Sequence, residues 1–199
     1  MLSPHLKERL HPKACVPARD GDYVMYWMRN AARAIENPAL DIALCAGRAL
    51  GKPVFIYHLL AERSPFASDR HHTFILEGAR EVQRSCAERG VGYAFHLERA
   101  SGGEEGERES ALHRLSRRAA LVVTDFMPVQ PLLRWDEALA RHAPLWRVDT
   151  SCLAPAWSVG ESLVDLTQFL QRVRPLWRKG LEEPWLDVAP ASPPWLPAL

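Results

Sequence analysis

"YVMYWMRNAARAIENPALDIALCAGRAL" runs from Tyr23 to Leu50 and decides the fold. Its first six residues, "YVMYWM" (Tyr23–Met28), are continuously apolar and β-favouring, the pattern of a strand buried on both faces. Asn37 then Pro38 form an N-cap and first-turn pair. Leu40, Ala43, Leu44, Gly47 and Leu50 follow at helical spacing, and Gly51 supplies the stop. Between strand and helix sits "WMRNAARAIENP", which is neither: a tryptophan and a methionine, then an arginine, an asparagine and a glutamate before the helix starts. In open α/β sheets such a junction is where ligands sit.

The alternation continues outward. "PVFIYHLL" (Pro53–Leu60) reads as a second buried strand. Asp69 can cap a helix over Arg70–Arg89, with Gly90 as its stop. "YAFHLE" (Tyr93–Glu98) alternates more and reads as an edge strand. Glu107–Arg118 reads as a helix with acids first and arginines last, matching the helix dipole. "LVVTD" (Leu121–Asp125), a helix over Pro131–Arg141 and "LWRVD" (Leu145–Asp149) complete the set. Strands alternating with helices of this length predict a doubly wound, five-stranded parallel sheet, with right-handed crossovers and an order near 3-2-1-4-5. The expected organisation is a flexible arm over 1–20, the α/β domain over 21–150, and a linker over 151–199. That linker holds an amphipathic helix near 160–181, with Leu163, Leu166, Leu170, Val173 and Trp177 on one stripe. The end, "EEPWLDVAPASPPWLPAL", has five prolines and two tryptophans and reads as a linker or docking tail.

Composition narrows the function. The 199 residues carry a net charge of +1, which gives no strong pull toward nucleic acid or anionic membrane. Four separated cysteines, Cys15, Cys45, Cys86 and Cys152, form no CxxC pair or zinc-finger spacing. They read as thiols in a reducing cytosol. The first residues lack an apolar signal region, and no apolar run reaches the roughly 20 residues of a membrane span. The expectation is a cytoplasmic protein that does not engage a membrane.

Several chemistries are excluded. No GxGxxG follows the first strand and no GxxxxGK[ST] occurs. "SGGEE" (Ser101–Glu105) looks like a phosphate loop, but it follows the third strand and its carboxylates repel phosphate. It reads as a solvated loop. His71 and His72 are helix neighbours about 100° apart, so a shared metal is not expected. No GxSxG elbow is present.

What remains is the carboxyl end of the sheet, at the reversal of strand order between the first and fourth strands. Met28, Arg29, His58, Asp125, Phe126 and Met127 are the candidate lining residues. Aromatic and thioether groups with few charges suit a flat conjugated ligand. Arg29 would hold an anionic or carbonyl edge and Asp125 a donor or hydroxyl. The competing reading makes Trp27 and Met28 core residues and pairs Arg29 with Glu36.

The same residues carry a resemblance. Tyr26, Trp27, Met28, Arg33, Asn37, Ala39 and Leu40 match "YWMxxxxRxxxNxAL". Arg70, Phe74, Leu76, Glu77 and Gly78 match "RxxxFxLEG". "VVTDFxP" (Val122–Pro128), Arg134–Trp135 and "VDTxxLxPxW" (Val148–Trp157) follow in order. This set resembles the N-terminal α/β domain of class II DNA photolyases, light-driven repair enzymes for cyclobutane pyrimidine dimers. The resemblance covers roughly Gly21 to Trp157 and implies the fold derived above. It also implies an antenna chromophore, commonly an 8-hydroxy-5-deazaflavin, near the carboxyl ends of the strands. The catalytic FAD, by the same resemblance, belongs to a separate helical domain. The chain ends at Leu199, where that domain would begin, and keeps of the family's linker only Arg174 and Pro175. Repair by this chain alone is therefore not expected, and no catalytic residue is assigned. The expectation is one half of a photolyase, docking a flavin-bearing half through residues 160–181 and meeting DNA only indirectly. The alternatives are a stand-alone module for a flavin- or nucleotide-like ligand, and a remnant without repair activity.

Overall fold

In the computed structural model the described residues are 2–12, 16–62, 67–99, 110–151, 153–160 and 165–198. Five strands, β1 (Tyr23–Met28), β2 (Val54–Ala61), β3 (Gly92–Glu98), β4 (Ala119–Asp125) and β5 (Leu145–Val148), form one sheet in the order β3-β2-β1-β4-β5. All four pairings are parallel. This is the expected doubly wound α/β fold and strand order. Every residue of β1 and of β4 is buried, because each has neighbours on both edges and helices over both faces. β3 is mostly half-buried, as an edge strand should be.

The helices are α1 (Pro4–Lys7), α2 (Pro38–Leu50), α3 (Asp69–Arg89), α4 (Ala111–Arg118), α5 (Leu132–Ala140) and α6 (Leu166–Glu182). The sheet divides the core in two. Val24, Tyr26 and Met28 pack toward α2 and α3, while Tyr23, Met25 and Trp27 pack toward α4 and α5. The Asn37 side chain accepts the N–H groups of Ala39 and Leu40, both at 3.1 Å, and fixes the start of α2. Such a cap contributes about 1 kcal/mol. Gly51 closes α2 at φ +63°, a conformation that glycine adopts without steric penalty. Ser68, rather than Asp69, caps α3.

The arm differs from its expected looseness, while the proline-rich end, expected to be a linker or docking tail, packs on the domain. Leu6 and Leu10 are buried in the α2-side core, and Leu10 bridges Val148 of β5. The physical reason is their four-residue spacing, which puts two leucines on one side of a short turn. At the other end, Trp185 and Val188 pack on the α2 side, while Trp195 lies 5.5 Å from the ring of Tyr23 on the opposite side. The proline-rich tail thus passes from one face of the sheet to the other. A Cβ at Gly92 would stand 2.0 Å from the carbonyl oxygen of Trp195, so only glycine admits the tail there. The amphipathic helix is present as α6, with Pro175 inside it and Val173 buried. The expected loop at Ser101–Glu105, the start of the helix at Glu107, and Leu163, Cys15 and Cys152 lie outside the described residues. Among the described residues no helix is long and apolar enough to cross a membrane.

Candidate functional site

The carboxyl ends of β1 and β4 meet at the strand-order reversal, and Asp125 is the centre of what they build. It is fully buried at the end of β4. One carboxylate oxygen accepts the Tyr26 hydroxyl at 2.7 Å. The other accepts the N–H groups of Arg29 and Asn30, both at 2.8 Å. The loop after β1 is therefore folded around this carboxylate. Asn37 extends the network by donating to the Tyr26 oxygen and to the carbonyls of Ala31 and Arg33. Burial, with Asp125 beside it, pushes the Tyr26 phenol well above its ordinary value, so the hydroxyl stays a donor.

The Arg29 side chain turns to the other face. Its guanidinium lies 4.4 Å above the Trp27 ring and forms an ion pair with Asp136 of α5 at 2.9 Å. Arg147 of β5 pairs with the same carboxylate at 3.2 Å. Arg29 thus pairs with Asp136 and not with Glu36. Its Nε and Nη1 are buried with no hydrogen-bond partner. Such donors are rare in folded proteins and call for an explanation.

The six predicted residues are not all brought together. Met28 is fully buried in the α2-side core. His58 lies beside it, at the matching register position of β2, where its Nδ1 and the Tyr93 hydroxyl are 2.8 Å apart. Burial lowers the His58 pKa, with Asp125 opposing, so the ring is neutral near pH 7. Asp125 spends its carboxylate on the protein itself. Phe126 and Met127, just past the end of β4, are half-buried. Arg29 lies beneath them, donating to the Asp125 carbonyl.

Sequence reasoning missed two members. His11 and Trp157 pack on Phe126 at 5.2 and 5.4 Å between ring centroids. Trp157 closes the "VDTxxLxPxW" stretch, which carries the resemblance without assigning it to the site. His11 sits in the segment expected to be loose and carried no local signal. Among the described residues no group of three or more His, Cys, Asp or Glu side chains is placed to hold a metal ion.

A doubly wound domain with a buried carboxylate network and packed aromatic rings at its strand-order reversal describes a broad class. The sequence model of one family, DNA photolyase, matches residues 24–194, and the chain belongs to that family. It is 29% identical over 185 residues to a deoxyribodipyrimidine photo-lyase of Methanothermobacter thermautotrophicus, covering 87% of this chain and 40% of that protein. Photo-lyases of Potorous tridactylus and Oryza sativa subsp. japonica are 26% and 28% identical, over 28% and 30% of their lengths. The chain spans well under half the length of these curated relatives. Among solved structures, a universal stress protein family member from Burkholderia pseudomallei aligns at 20% identity with a TM-score of 0.36, covering 64% of this chain and 96% of that one. A universal stress protein from Archaeoglobus fulgidus, in complex with dAMP, aligns at 16% identity with a TM-score of 0.37, covering 65% and 98%.

Proposed function

We propose that this chain is the antenna-type α/β part of a photolyase for cyclobutane pyrimidine dimers, with FAD and catalysis supplied by a separate helical half. The observation that supports this reading most is the family match over 24–194, combined with photo-lyase relatives covered over only 28–40% of their length. The ligand of this chain is then an 8-hydroxy-5-deazaflavin in the crevice at the reversal point. A bound deazaflavin absorbs light and passes the excitation energy on. The protein's part is to hold and orient it. Phe126 and Met127 wall the ring faces and Asp125 fixes the loop after β1 beside them, while Met28 and His58 act only through the packing of the α2-side core. The orphaned Nε–H and Nη1–H groups of Arg29 fit a ring with carbonyl edges, because they are donors that the protein leaves unused. The helical half docks on residues 160–181, where Leu166 and Leu181 are exposed on α6. DNA is met through that half.

Absorbance titration of the purified chain with the deazaflavin and, separately, with FAD tests the reading. Saturable deazaflavin binding with a red shift, and weak FAD binding, is the expected result. No binding of either molecule would overturn the antenna role.

A further inference from the structure

We propose that residues 185–188 of the tail act as a latch on the loop after β1, so that seating of the tail is coupled to the Asp125 network at the reversal of strand order. The residue that carries the coupling is Glu36. Its φ of +50° lies in the left-handed region, where a side chain other than glycine is strained. Such a conformation persists only when its surroundings over-determine it. Two bonds do so here. The Glu36 N–H donates to Asp187 of the tail at 2.8 Å, and the Glu36 carbonyl accepts Arg33 Nε at 3.1 Å.

The same loop and the same tail share a second connection. Arg89, at the end of α3 and buried along its side chain, donates to the Ala34 carbonyl and to Asp41. It also donates to the Val188 carbonyl at 2.8 Å and stands 3.5 Å from Asp187. Asp41 in turn accepts the Trp185 indole at 2.8 Å and the Val188 N–H at 3.0 Å. Apolar packing adds little. Trp185 and Val188 are half-buried, and Leu186 between them is 83% exposed. A segment with so few buried apolar contacts belongs to the part of a molecule that opens locally, without global unfolding. Unseating it removes one of the two bonds that hold Glu36 in its strained conformation.

From Glu36 the connection inward is short. The next residue is Asn37, whose Nδ2 donates to the carbonyls of Ala31 and Arg33 at 3.0 and 2.8 Å and to the Tyr26 oxygen at 3.2 Å. Tyr26 donates to Asp125, which also accepts the N–H groups of Asn30 and Ala31 at 2.8 and 3.3 Å. A change of backbone angle at Glu36 therefore moves the side chain that ties the end of the loop to its start. Two arrangements result: tail seated with Glu36 held in the left-handed region, and tail free with Glu36 relaxed. The tail and the Asp125 network bias the same equilibrium, which is what coupling requires. α6 ends at Glu182, so a partner docking on that helix, as the function proposed above has it, acts directly before the latch.

Amide hydrogen exchange of the full chain, read residue by residue by NMR, tests the latch, with melting curves confirming that each variant is folded. In Asp187→Ala the Glu36 amide should exchange at least about tenfold faster, the scale of a lost bond to a charged acceptor. The Asn30 and Ala31 amides should exchange about fivefold faster or more, the scale of coupling between sites, while those of β2 keep their wild-type rates. Asp187→Asn keeps an acceptor oxygen, so all three amides should exchange more slowly in it than in Asp187→Ala. An unchanged Glu36 amide in Asp187→Ala would overturn the latch. A faster Glu36 amide with unchanged Asn30 and Ala31 would overturn its coupling to Asp125. The matching effect on a ligand, a deazaflavin affinity about fivefold weaker in Asp187→Ala, rests on the antenna reading, and equal affinity would overturn that part of the coupling. If the wild-type chain binds no deazaflavin, the antenna reading falls, whereas the exchange rates judge the latch by themselves.

Discussion

Asp125 and Asp41 are both fully buried carboxylates near the carboxyl end of the sheet, and they organise different parts of the molecule. Asp125 is bonded by Tyr26, Arg29 and Asn30, all from β1 and the loop after it. Asp41, in the first turn of α2, is bonded by Arg89 of α3, by the Trp185 indole at 2.8 Å and by the Val188 N–H at 3.0 Å. One carboxylate holds the loop after β1 from inside the α/β unit. The other pins the C-terminal tail onto it. The difference teaches that the two are joined at one edge: Asp125 holds the start of the loop after β1 from within the α/β unit, while the end of that loop meets the tail, where the Glu36 N–H donates to Asp187 at 2.8 Å.

Breaking the first network should have the largest effect. Asp125→Ala strands the Tyr26 hydroxyl and two N–H groups in a dry interior, and a loss of about 3–5 kcal/mol is expected in urea denaturation. A loss under about 1 kcal/mol would show that water replaces the carboxylate. Asp41→Ala should cost less, about 2–3 kcal/mol, because Arg89 keeps Asp187 at 3.5 Å and the Val188 carbonyl at 2.8 Å. Limited proteolysis should then cut the tail near Trp185 while leaving 21–150 intact. Cleavage inside β1 or β4 instead would contradict this division of roles. Gly92→Ala probes the far end of the tail, where the new methyl group meets the Trp195 carbonyl. It should lift that end at about 1–2 kcal/mol, the scale of overpacking, with a shift in tryptophan emission.

The smallest effect concerns His58. Its folded pKa is lowered, chiefly by burial, so the unfolded chain takes up a proton near pH 6.5 while the folded chain does not. Stability from this residue is present above about pH 6.5 and falls as pH drops toward the folded value. His58→Gln should flatten the stability profile in that window. An unchanged slope would assign the acid sensitivity elsewhere.

Much of the fold was legible because it is encoded locally. The continuous apolar run at Tyr23–Met28, the Asn37–Pro38 pair and Gly51 each state an element by pattern alone, and the alternation of elements states the parallel sheet. The site was legible only as a place. Asp125 stood visibly at the end of a strand, but its partners lie 95 to 99 residues away, and nothing local shows that its bonds go to the protein. Arg29 illustrates the same limit: the nearby Glu36 was the obvious partner in sequence, while Asp136 is brought beside it only by the crossover to α5. The arm was hidden for a different reason. Two leucines among prolines are too weak a pattern to read, yet they suffice once β5 and α2 offer a surface.

The most direct test of the account is a deazaflavin absorbance titration of the wild-type chain beside the Arg29→Ala/Phe126→Ala double variant, with melting curves confirming that both are folded. The account predicts saturable, red-shifted binding by the wild type and a loss of at least about tenfold in the variant. Equal affinity in the two folded proteins would contradict the placement of the chromophore at the reversal point of the sheet.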